Sequence, residues 1–394
     1  MLLPMTHTSH ITMIKFLDIK AINDLHREQV ADAVAGVAAS GWYLRGEQTR
    51  LFEEEYARYI GTRCCVGCGN CLDALTLIMR AYMELGVMEP GDEVIVPANT
   101  YIASILAVTR CRLRPVLVEP GPDTLQISPA LIEQAVTPRT RAVMIVHLYG
   151  KCAYTHTVGE VCRRHGLKLI EDNAQAHGCR YHQPHDEAAV SSDYRDGMRT
   201  GALGDAAAHS FYPTKNLGAL GDAGAVTTSD EALADMVRAL ANYGSARKYV
   251  FDHIGMNSRI DEIQAAVLRV KMGYVDEENG IRLRNALIYF DTIRSGCVRL
   301  MPRGYASDNV FHIFPVLCSH RDELREWLLG RGIQTDVHYP IPPHRQKCYA
   351  DMAELRLPIT ESIHRDILSL PVNQTLTPDD IRTVAEAINA FNAL

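Results

Sequence analysis

The chain has 394 residues, of which 47% are hydrophobic and 22% are charged, and its formal net charge at pH 7 is −7. This length suggests two domains and is sufficient for a large apolar core. The negative charge argues against nucleic acid or an anionic membrane surface as a partner, and the longest apolar runs are too short to cross a bilayer.

The N-terminal residues, MLLPMTHTSHITMIKFLDI, lack a basic segment followed by an apolar one, so the sequence predicts no signal peptide. We expect residues 1–13 to form a flexible tail and the protein to be cytoplasmic. In that compartment the eleven cysteines are expected to be reduced thiols, most of them packed in the core.

The stretch CCVGCGNC contains Cys65, Cys68 and Cys71 at a spacing typical of iron–sulfur ligands. However, the next cysteine is Cys111, so neither a fourth cluster ligand nor a second zinc-binding pair follows closely. The run continues into CLDALTLIMRAYMEL, whose apolar spacing is helical. We therefore interpret residues 64–71 as a tight turn before a helix whose free N–H groups suit a phosphate, and we expect no metal.

The next segments alternate between strand and helix patterns. Predicted strands are DEVIVPA, RPVLVEPG, AVMIVHLYG, LKLIEDNA, AAAHSFYPT and GAVTTSD, and predicted helices include TYIASILAVTR, SPALIEQAV and THTVGEVCRRHG. This order predicts an α/β fold with a mostly parallel sheet flanked by helices, in which ligands bind at the carboxyl ends of the strands. Residues 181–201 are expected to form an exposed loop. A long helical stretch after residue 255 leads into a smaller α/β region.

Two charged side chains follow predicted strands of this sheet. Asp172 ends LKLIED, where a buried carboxylate needs a partner; it is a helix N-cap, a metal ligand or the partner of a protonated ring nitrogen. Lys215 lies between a strand and a Gly-rich turn, where the ordinary alternative is a surface lysine. Together with a phosphate-binding turn, these residues match the needs of pyridoxal phosphate (PLP): a Schiff-base lysine, an acid for the pyridine nitrogen and a phosphate cup.

The segments EDNAQAHG, HSFYPTKNLGALGDAGAV, NYGSARKY and GMNSRIDEIQAAVL resemble the DegT/StrS family of nucleotide-sugar aminotransferases, which are PLP-dependent enzymes of fold type I. The resemblance extends from FLDI near residue 16 to VHYPIPPHRQKCY, and it is greatest to members that aminate dTDP-3-keto-6-deoxyhexoses. It implies a large PLP-binding domain over residues 14–255, a small C-terminal α/β domain over residues 256–394, and a homodimer with shared active sites. The implied substrates are a dTDP-linked keto-deoxysugar and L-glutamate, which becomes 2-oxoglutarate.

The resemblance also implies roles for individual residues. Lys215 would form the Schiff base and shuttle protons, Asp172 would keep the pyridine nitrogen protonated, and Gln175 would bind the ring hydroxyl. Tyr101 would stack on the ring. The expected phosphate ligands are Gly69, Asn70, Ser210 and, from the neighbouring subunit, Asn257. The expected substrate contacts are Tyr43, Arg45, Tyr212, Lys248, His338, Tyr339 and His344. Cys71 stands where family members more often have glycine, and a side chain there disfavours a positive φ, so the resemblance does not fix the amide donors of this turn.

Three alternatives accompany this assignment. PLP-dependent dehydratases share the fold but have histidine in place of the Schiff-base lysine, so Lys215 argues against them. A 4-keto sugar nucleotide aminotransferase would use the same cofactor residues. A non-enzymatic regulator that binds PLP or a sugar nucleotide is disfavoured because the sequence has no appended DNA-binding segment or basic patch.

Overall fold

The computed structural model describes residues 13–183, 195–247, 249–304 and 307–392. The strands in chain order are β1 Cys64–Cys68, β2 Glu93–Pro97, β3 Arg114–Val118, β4 Thr140–Val146, β5 Lys168–Asp172, β6 Ala206–Ser210, β7 Gly224–Thr228, β8 Arg299–Leu300, β9 Phe314–Leu317 and β10 Ile367–Leu370. The helices in chain order are α1 Ile19–Asp24, α2 Arg27–Ser40, α3 Glu47–Ile60, α4 Cys71–Glu84, α5 Ile102–Arg110, α6 Pro129–Gln134, α7 His156–His165, α8 Glu231–Leu240, α9 Glu262–Met272, α10 Val275–Thr292, α11 Arg321–Leu329, α12 Pro358–Asp366 and α13 Pro378–Asn389.

A seven-stranded sheet with the order β1-β7-β6-β5-β4-β2-β3 forms the centre of the large domain. Its strand pairs are parallel except for the two made by β7, which is antiparallel to β1 and β6. The six strands predicted from the sequence all belong to this sheet. The predicted α/β class with a mostly parallel sheet is therefore confirmed.

Both faces of the sheet are covered, as expected for parallel strands that are apolar along their whole length. Within β2, Val94 and Val96 pack into one cluster with helices α4, α5 and α8. The intervening Ile95 packs into a second cluster with α6 and α7 on the other face. This alternation follows from the two-residue period of a strand.

The edge strand β1 corrects one sequence interpretation, because Cys64–Cys68 is a strand and the turn is confined to the two residues after it. Its pairing with the distant β7, for example Cys65 with Thr227, has no local sequence signal. Cys65 packs with Phe52, whereas Cys68 packs in the cluster on the opposite face. The two thiols therefore do not converge on one point, and the described residues contain no group of three or more His, Cys, Asp or Glu side chains that could hold a metal ion.

The smaller unit contains an antiparallel sheet with the order β10-β9-β8. Its core includes Ala286 and Tyr289 of α10, together with residues of α11 and α13. Helix α9, predicted to belong to this unit, packs in the large domain, where Ala265 and Leu268 share a cluster with Phe52. The core of the smaller unit begins within α10, whereas the boundary at residue 255 stays a prediction. The helical pattern continues through this region, so the sequence did not show where the packing partner changes.

Several predicted features fall partly outside the described residues, among them the N-terminal tail up to residue 12 and residues 184–194 of the predicted loop. The base of that loop is paired: the Tyr181 N–H donates to the Met198 carbonyl at 2.9 Å, and the Gly197 N–H donates to the Tyr181 carbonyl at 2.9 Å. Across the parts of the chain that are described, every helix is too short or too polar to cross a membrane.

Candidate active site

The carboxyl ends of β1, β5 and β6 bring the predicted cofactor residues to one edge of the sheet. Asn70 follows β1, Asp172 ends β5, and Ser210 ends β6. The irregular segment after β6 carries Lys215. Strand ends at one edge of a parallel sheet are the usual location of ligands in this fold class.

Asp172 is 5% exposed, and two donors hold its carboxylate. The Ser104 hydroxyl donates to Oδ2 at 2.7 Å, and the Ala174 N–H donates to Oδ1 at 3.2 Å. Thr100 lies behind Ser104, with 2.8 Å between their hydroxyl oxygens. Burial raises the pKa of Asp172, while these hydrogen bonds and the charge of Lys215 act in the opposite direction. The carboxylate is thus oriented but keeps capacity for another hydrogen bond.

The preceding carboxylate, Glu171, is on the other face of β5 and is fully buried. Its oxygens accept hydrogen bonds from the backbone N–H groups of Gly201, Leu203 and Gly204 at 2.7–2.8 Å. Nε2 of His147 lies 2.8 Å from Oε2. The Glu171 carboxylate therefore anchors the chain that leads into β6.

Lys215 lies half-buried in a turn whose backbone is fixed by a hydrogen bond from its N–H to the Tyr212 carbonyl at 2.8 Å. Burial lowers the pKa of the Lys215 amine, and the nearby Cys71 thiol and Asp172 carboxylate oppose that shift. Within the described residues, no hydrogen bond or ion pair involves Nζ. A lysine with a lowered pKa is suited to act as a nucleophile and as a base.

The turn between β1 and α4 is the predicted phosphate cup, but its candidate N–H donors differ from the predicted ones. The Gly69 N–H donates to the Ser258 hydroxyl at 3.0 Å, and the Asn70 side chain caps α4 by accepting from the Asp73 N–H at 2.8 Å. The N–H groups of Cys71 and Leu72 lie in the first helical turn, where a helix supplies no carbonyl partner. Cys71 has an ordinary φ, so its side chain is tolerated at this position.

Gly224 of β7 contacts this turn closely. A Cβ atom added at Gly224 would lie 2.5 Å from the carbonyl carbon of Asn70. The position therefore requires glycine, although neither residue suggests this contact in the sequence.

A buried hydrogen-bonded layer supports Ser210. The Ser210 carbonyl accepts from Nε2 of His177 at 2.8 Å, and the Tyr56 hydroxyl lies 2.8 and 2.9 Å from Nδ1 of His177 and His209. Burial lowers the pKa of His177 to about 4, so this histidine is neutral at pH 7. The layer adds no charge behind the site.

The aromatic side of the site involves both domains. Tyr101 is exposed at the start of α5, and its ring centroid lies 5.0 Å from that of Tyr339 in the small domain. The Gln175 amide donates to the Tyr339 hydroxyl at 3.1 Å, while its Oε1 accepts from the Tyr149 N–H at 2.6 Å. Nδ1 of His338 lies 3.0 Å from the Ser369 hydroxyl. The expected positions 101, 175, 338 and 339 thus form one connected group.

Other predicted substrate residues lie elsewhere in the chain. Tyr212 is exposed beside the lysine turn. Tyr43 and Arg45 are also exposed, and Arg45 lines a cleft of about 760 Å³ together with Arg238 and Arg259. Within the described part of a single chain, neither Tyr43 nor Arg45 forms a hydrogen bond or ion pair with Lys215 or Asp172.

The last two predicted substrate residues are His344 and Lys248. His344 has no exposed surface, and its Nε2 lies 3.1 Å from Glu361, so the structure gives it a structural partner and leaves no side-chain surface for a substrate. Its polar residue type did not reveal this burial. Lys248 lies outside the described residues.

Asn257 is exposed and forms an isolated antiparallel bridge with Asn242. The nearby surface carries large apolar side chains, with Tyr249 80% and Ile254 84% exposed. Large exposed apolar side chains such as these are frequent at protein interfaces.

The chain is similar to known proteins in sequence and in fold. The model of the DegT/DnrJ/EryC1/StrS aminotransferase family matches residues 24–389. The dTDP-3-amino-3,6-dideoxy-alpha-D-galactopyranose transaminase of Aneurinibacillus thermoaerophilus is 44% identical over 379 residues, covering 96% of this chain and 99% of that protein. The structure of S. venezuelae DesV in complex with a ketimine intermediate has a TM-score of 0.89 and 44% identity, covering 96% of this chain and 98% of its own. NtdA from Bacillus subtilis, with bound cofactor PMP, has a TM-score of 0.84 and 30% identity, covering 97% of this chain and 86% of its own.

Proposed function

We propose a cofactor, substrates and a mechanism for this chain, which belongs to the DegT/DnrJ/EryC1/StrS aminotransferase family. The protein transfers the amino group of L-glutamate to a dTDP-linked 3-keto-6-deoxyhexose, giving a dTDP-3-amino-3,6-dideoxyhexose. The observation that supports this most strongly is Lys215, with its lowered amine pKa, beside the buried and incompletely hydrogen-bonded Asp172. The substrate class is supported by the 44% identical transaminase from A. thermoaerophilus.

The residues present fit PLP. Asp172 would hold the pyridine nitrogen, Lys215 would carry the cofactor, and the free N–H groups of Cys71 and Leu72 would bind its phosphate together with Ser210. When bound, PLP supplies a ring that withdraws electrons from the reacting carbon. Gln175 would donate to the ring hydroxyl through Nε2, because the Tyr149 N–H already occupies its Oε1.

Lys215 performs the proton transfers. Its lowered pKa increases the neutral fraction of the amine near neutral pH, and the neutral amine is the base. Nζ removes the proton from Cα of the amino donor and, in the sugar half of the reaction, returns a proton to the sugar carbon that receives nitrogen. Burial raises the pKa of Asp172, while its hydrogen bonds and the charge of Lys215 favour the ionised form that would pair with a protonated pyridine nitrogen.

The active site is shared between two copies of the chain. Asn257 is exposed beside an apolar surface that includes Tyr249 and Ile254, as expected if a second chain covers it. In the dimer Asn257 would contact the cofactor phosphate of its neighbour. The Arg45 cleft, which Asn242 also lines, would then adjoin the partner's sugar nucleotide.

The sugar lies against the His338–Tyr339 segment, whose Tyr339 ring contacts that of Tyr101. Which carbon reaches Lys215 depends on the orientation of the sugar in this pocket, so amination of a 4-keto sugar is the principal alternative. Pockets that bind sugar hydroxyls can discriminate strongly between such orientations.

The test is incubation of the purified protein with glutamate and matched 3-keto and 4-keto dTDP sugars, with NMR to locate the new C–N bond. We expect amination at C3. Amination at C4 alone, or only of sugars linked to UDP or GDP, would contradict the substrate assignment but not the aminotransferase activity. Cofactor binding without turnover of any keto sugar would favour the regulator.

A further inference from the structure

Tyr149, three residues after the end of β4, has an unusual backbone conformation. Tyr149 has φ +63° and ψ 5°, in the left-handed region, and only 3% of its surface is exposed. A bulky residue rarely adopts this conformation, because its Cβ is crowded by the backbone. Such residues persist where surrounding contacts compensate for the strain, and these places are often functional.

Tyr149 uses both of its polar hydrogens in the candidate site. Its backbone N–H donates to Oε1 of Gln175 at 2.6 Å, and its hydroxyl donates to the His338 carbonyl at 2.9 Å. The first contact fixes the Gln175 amide so that Nε2 is the group directed at Tyr339, 3.1 Å away. One strained residue therefore holds a cofactor residue and the polypeptide that carries two predicted substrate residues.

These contacts cross from one domain to the other. Tyr149 belongs to the large domain, whereas His338 and Tyr339 belong to the small domain just beyond Asp336, which pairs with Ser369 of β10. Ser369 holds the His338 ring through its hydroxyl at 3.0 Å. The Tyr149 hydroxyl thus fixes the position of the 338–339 segment relative to Gln175 and Tyr101.

We propose that Tyr149 is a positioning residue for the sugar substrate: its hydroxyl holds the His338–Tyr339 segment as one wall of the sugar pocket. This inference rests on the proposed function. The family resemblance assigned no role to Tyr149, which was not among the predicted site residues. Tyr149 acts through His338 and Tyr339, so it should influence sugar binding more than proton transfer by Lys215.

The informative variant is Tyr149→Phe, which keeps the ring and the backbone N–H but removes the hydroxyl. The KM for the dTDP-keto sugar should rise about tenfold, the effect of losing one buried hydrogen bond. The glutamate half of the reaction, measured by the change in cofactor absorbance without sugar, should keep its rate and its apparent glutamate affinity within about twofold.

Tyr289→Phe is the matched control. The Tyr289 hydroxyl is also buried and also donates to a backbone carbonyl, that of Pro371 at 2.7 Å, but it lies in the small-domain core. This variant should lower the thermal unfolding temperature while leaving the KM for the sugar unchanged. A purely structural role of Tyr149 predicts the same result for both variants.

Ser369→Ala provides a second measurement on the same segment if Tyr149→Phe does not fold. It removes the hydroxyl that holds the His338 ring and should raise the sugar KM in the same direction without affecting the glutamate half. A wild type that aminates no sugar would refute the proposed function and this inference together. An active wild type with an unchanged sugar KM in Tyr149→Phe, or in Ser369→Ala if the former cannot be folded, would refute this inference alone.

Discussion

Glu171 and Asp172 are consecutive buried carboxylates on opposite faces of β5, and their surroundings differ. Glu171 accepts hydrogen bonds from three backbone N–H groups and lies beside His147, so its hydrogen-bonding capacity is largely used within the chain. Asp172 accepts two hydrogen bonds and lies near the Lys215 amine. Burial alone therefore does not distinguish a structural carboxylate from a catalytic one. The distinguishing feature is the hydrogen-bonding capacity that remains.

His147 strengthens this distinction. The Ala153 N–H donates to Nδ1 of His147 at 2.9 Å, so Nδ1 is an acceptor and the proton is assigned to Nε2, facing Glu171. The hydrogen bonding thus assigns a neutral histidine on the Glu171 face. On the Asp172 face, the neighbouring titratable groups include the Cys71 thiol and a lysine, Lys215, whose pKa is lowered by burial.

The largest expected effect is on the Asp172 face. Lys215→Ala should reduce turnover by at least about 10⁴-fold, since it removes both the proposed cofactor attachment and the proposed base. The fold should persist, because no hydrogen bond of Nζ is lost. Steady-state amination assays and circular dichroism measure the two effects. Appreciable turnover in this variant would assign the proton transfers to another residue.

Exchanging each carboxylate for its amide tests the comparison itself. Asp172→Asn should reduce kcat by about 10²–10³-fold, as for loss of an electrostatic partner, with little change in unfolding temperature. Glu171→Gln should do the reverse and lower the free energy of unfolding by about 2–4 kcal/mol, because an amide NH₂ would face N–H donors. Folded Glu171→Gln should keep kcat within a few-fold. Equal kinetic effects of the two variants would contradict the comparison.

Subunit complementation tests whether the Asp172 face is completed by a second chain. Neither Lys215→Ala nor an inactive Asn257→Ala variant has an intact site in its homodimer, but one site of the mixed dimer contains both native residues. Random exchange should therefore restore about a quarter of wild-type activity. The control is the same mixture before exchange. No recovery after exchange has been demonstrated by mass spectrometry would argue that each chain forms its own site.

A smaller effect of the interaction between Lys215 and Asp172 is expected in the pH dependence of activity. In the proposed mechanism the neutral Lys215 amine is the base, so activity should rise with pH through the lowered pKa, at a pH below the ordinary lysine value of 10.5. The Asp172 carboxylate favours protonated Lys215, so the residual activity of Asp172→Asn should rise at lower pH than that of the wild type. Profiles of the isolated glutamate half measure this shift. A shift to higher pH would contradict the assigned interaction.

Cys68→Ser should have the smallest effect. Cys68 is fully buried among apolar side chains and faces away from Cys65, so serine should cost about 1 kcal/mol of stability and leave kcat within twofold. Elemental analysis of the wild type should detect no stoichiometric iron or zinc. Either metal at one per chain, lost in Cys68→Ser, would restore the cluster interpretation.

The sequence predicted the parts of this site that depend on local pattern. Asp172 ends an apolar strand and Lys215 precedes a glycine-rich turn, so both are visible within a few residues, and family motifs added the remaining roles. The strand at Cys64–Cys68 and the glycine requirement at Gly224 depend on pairing between segments far apart in the chain, which no local pattern reveals.

Other features depend on tertiary packing. Ser104 supports Asp172 and Tyr149 holds Gln175, yet in the sequence Ser104 is one residue of an apolar helix and Tyr149 is one residue of the short turn after β4. His344 has the residue type of a ligand but is fully buried. Helices α9 and α10 likewise follow one another in a single helical pattern, yet α9 packs against α3 rather than in the core of the smaller unit.

The most direct test of the central claim is alternate addition of the two substrates to the PLP-loaded wild type, followed by visible absorbance. We predict that glutamate alone removes the visible cofactor band, that the dTDP-3-keto sugar then restores it with one equivalent of amino sugar formed, and that Lys215→Ala shows neither change. A wild-type band that glutamate leaves unchanged, or a Lys215→Ala variant that completes the cycle, would contradict the assignment of Lys215 and Asp172 as the aminotransferase centre.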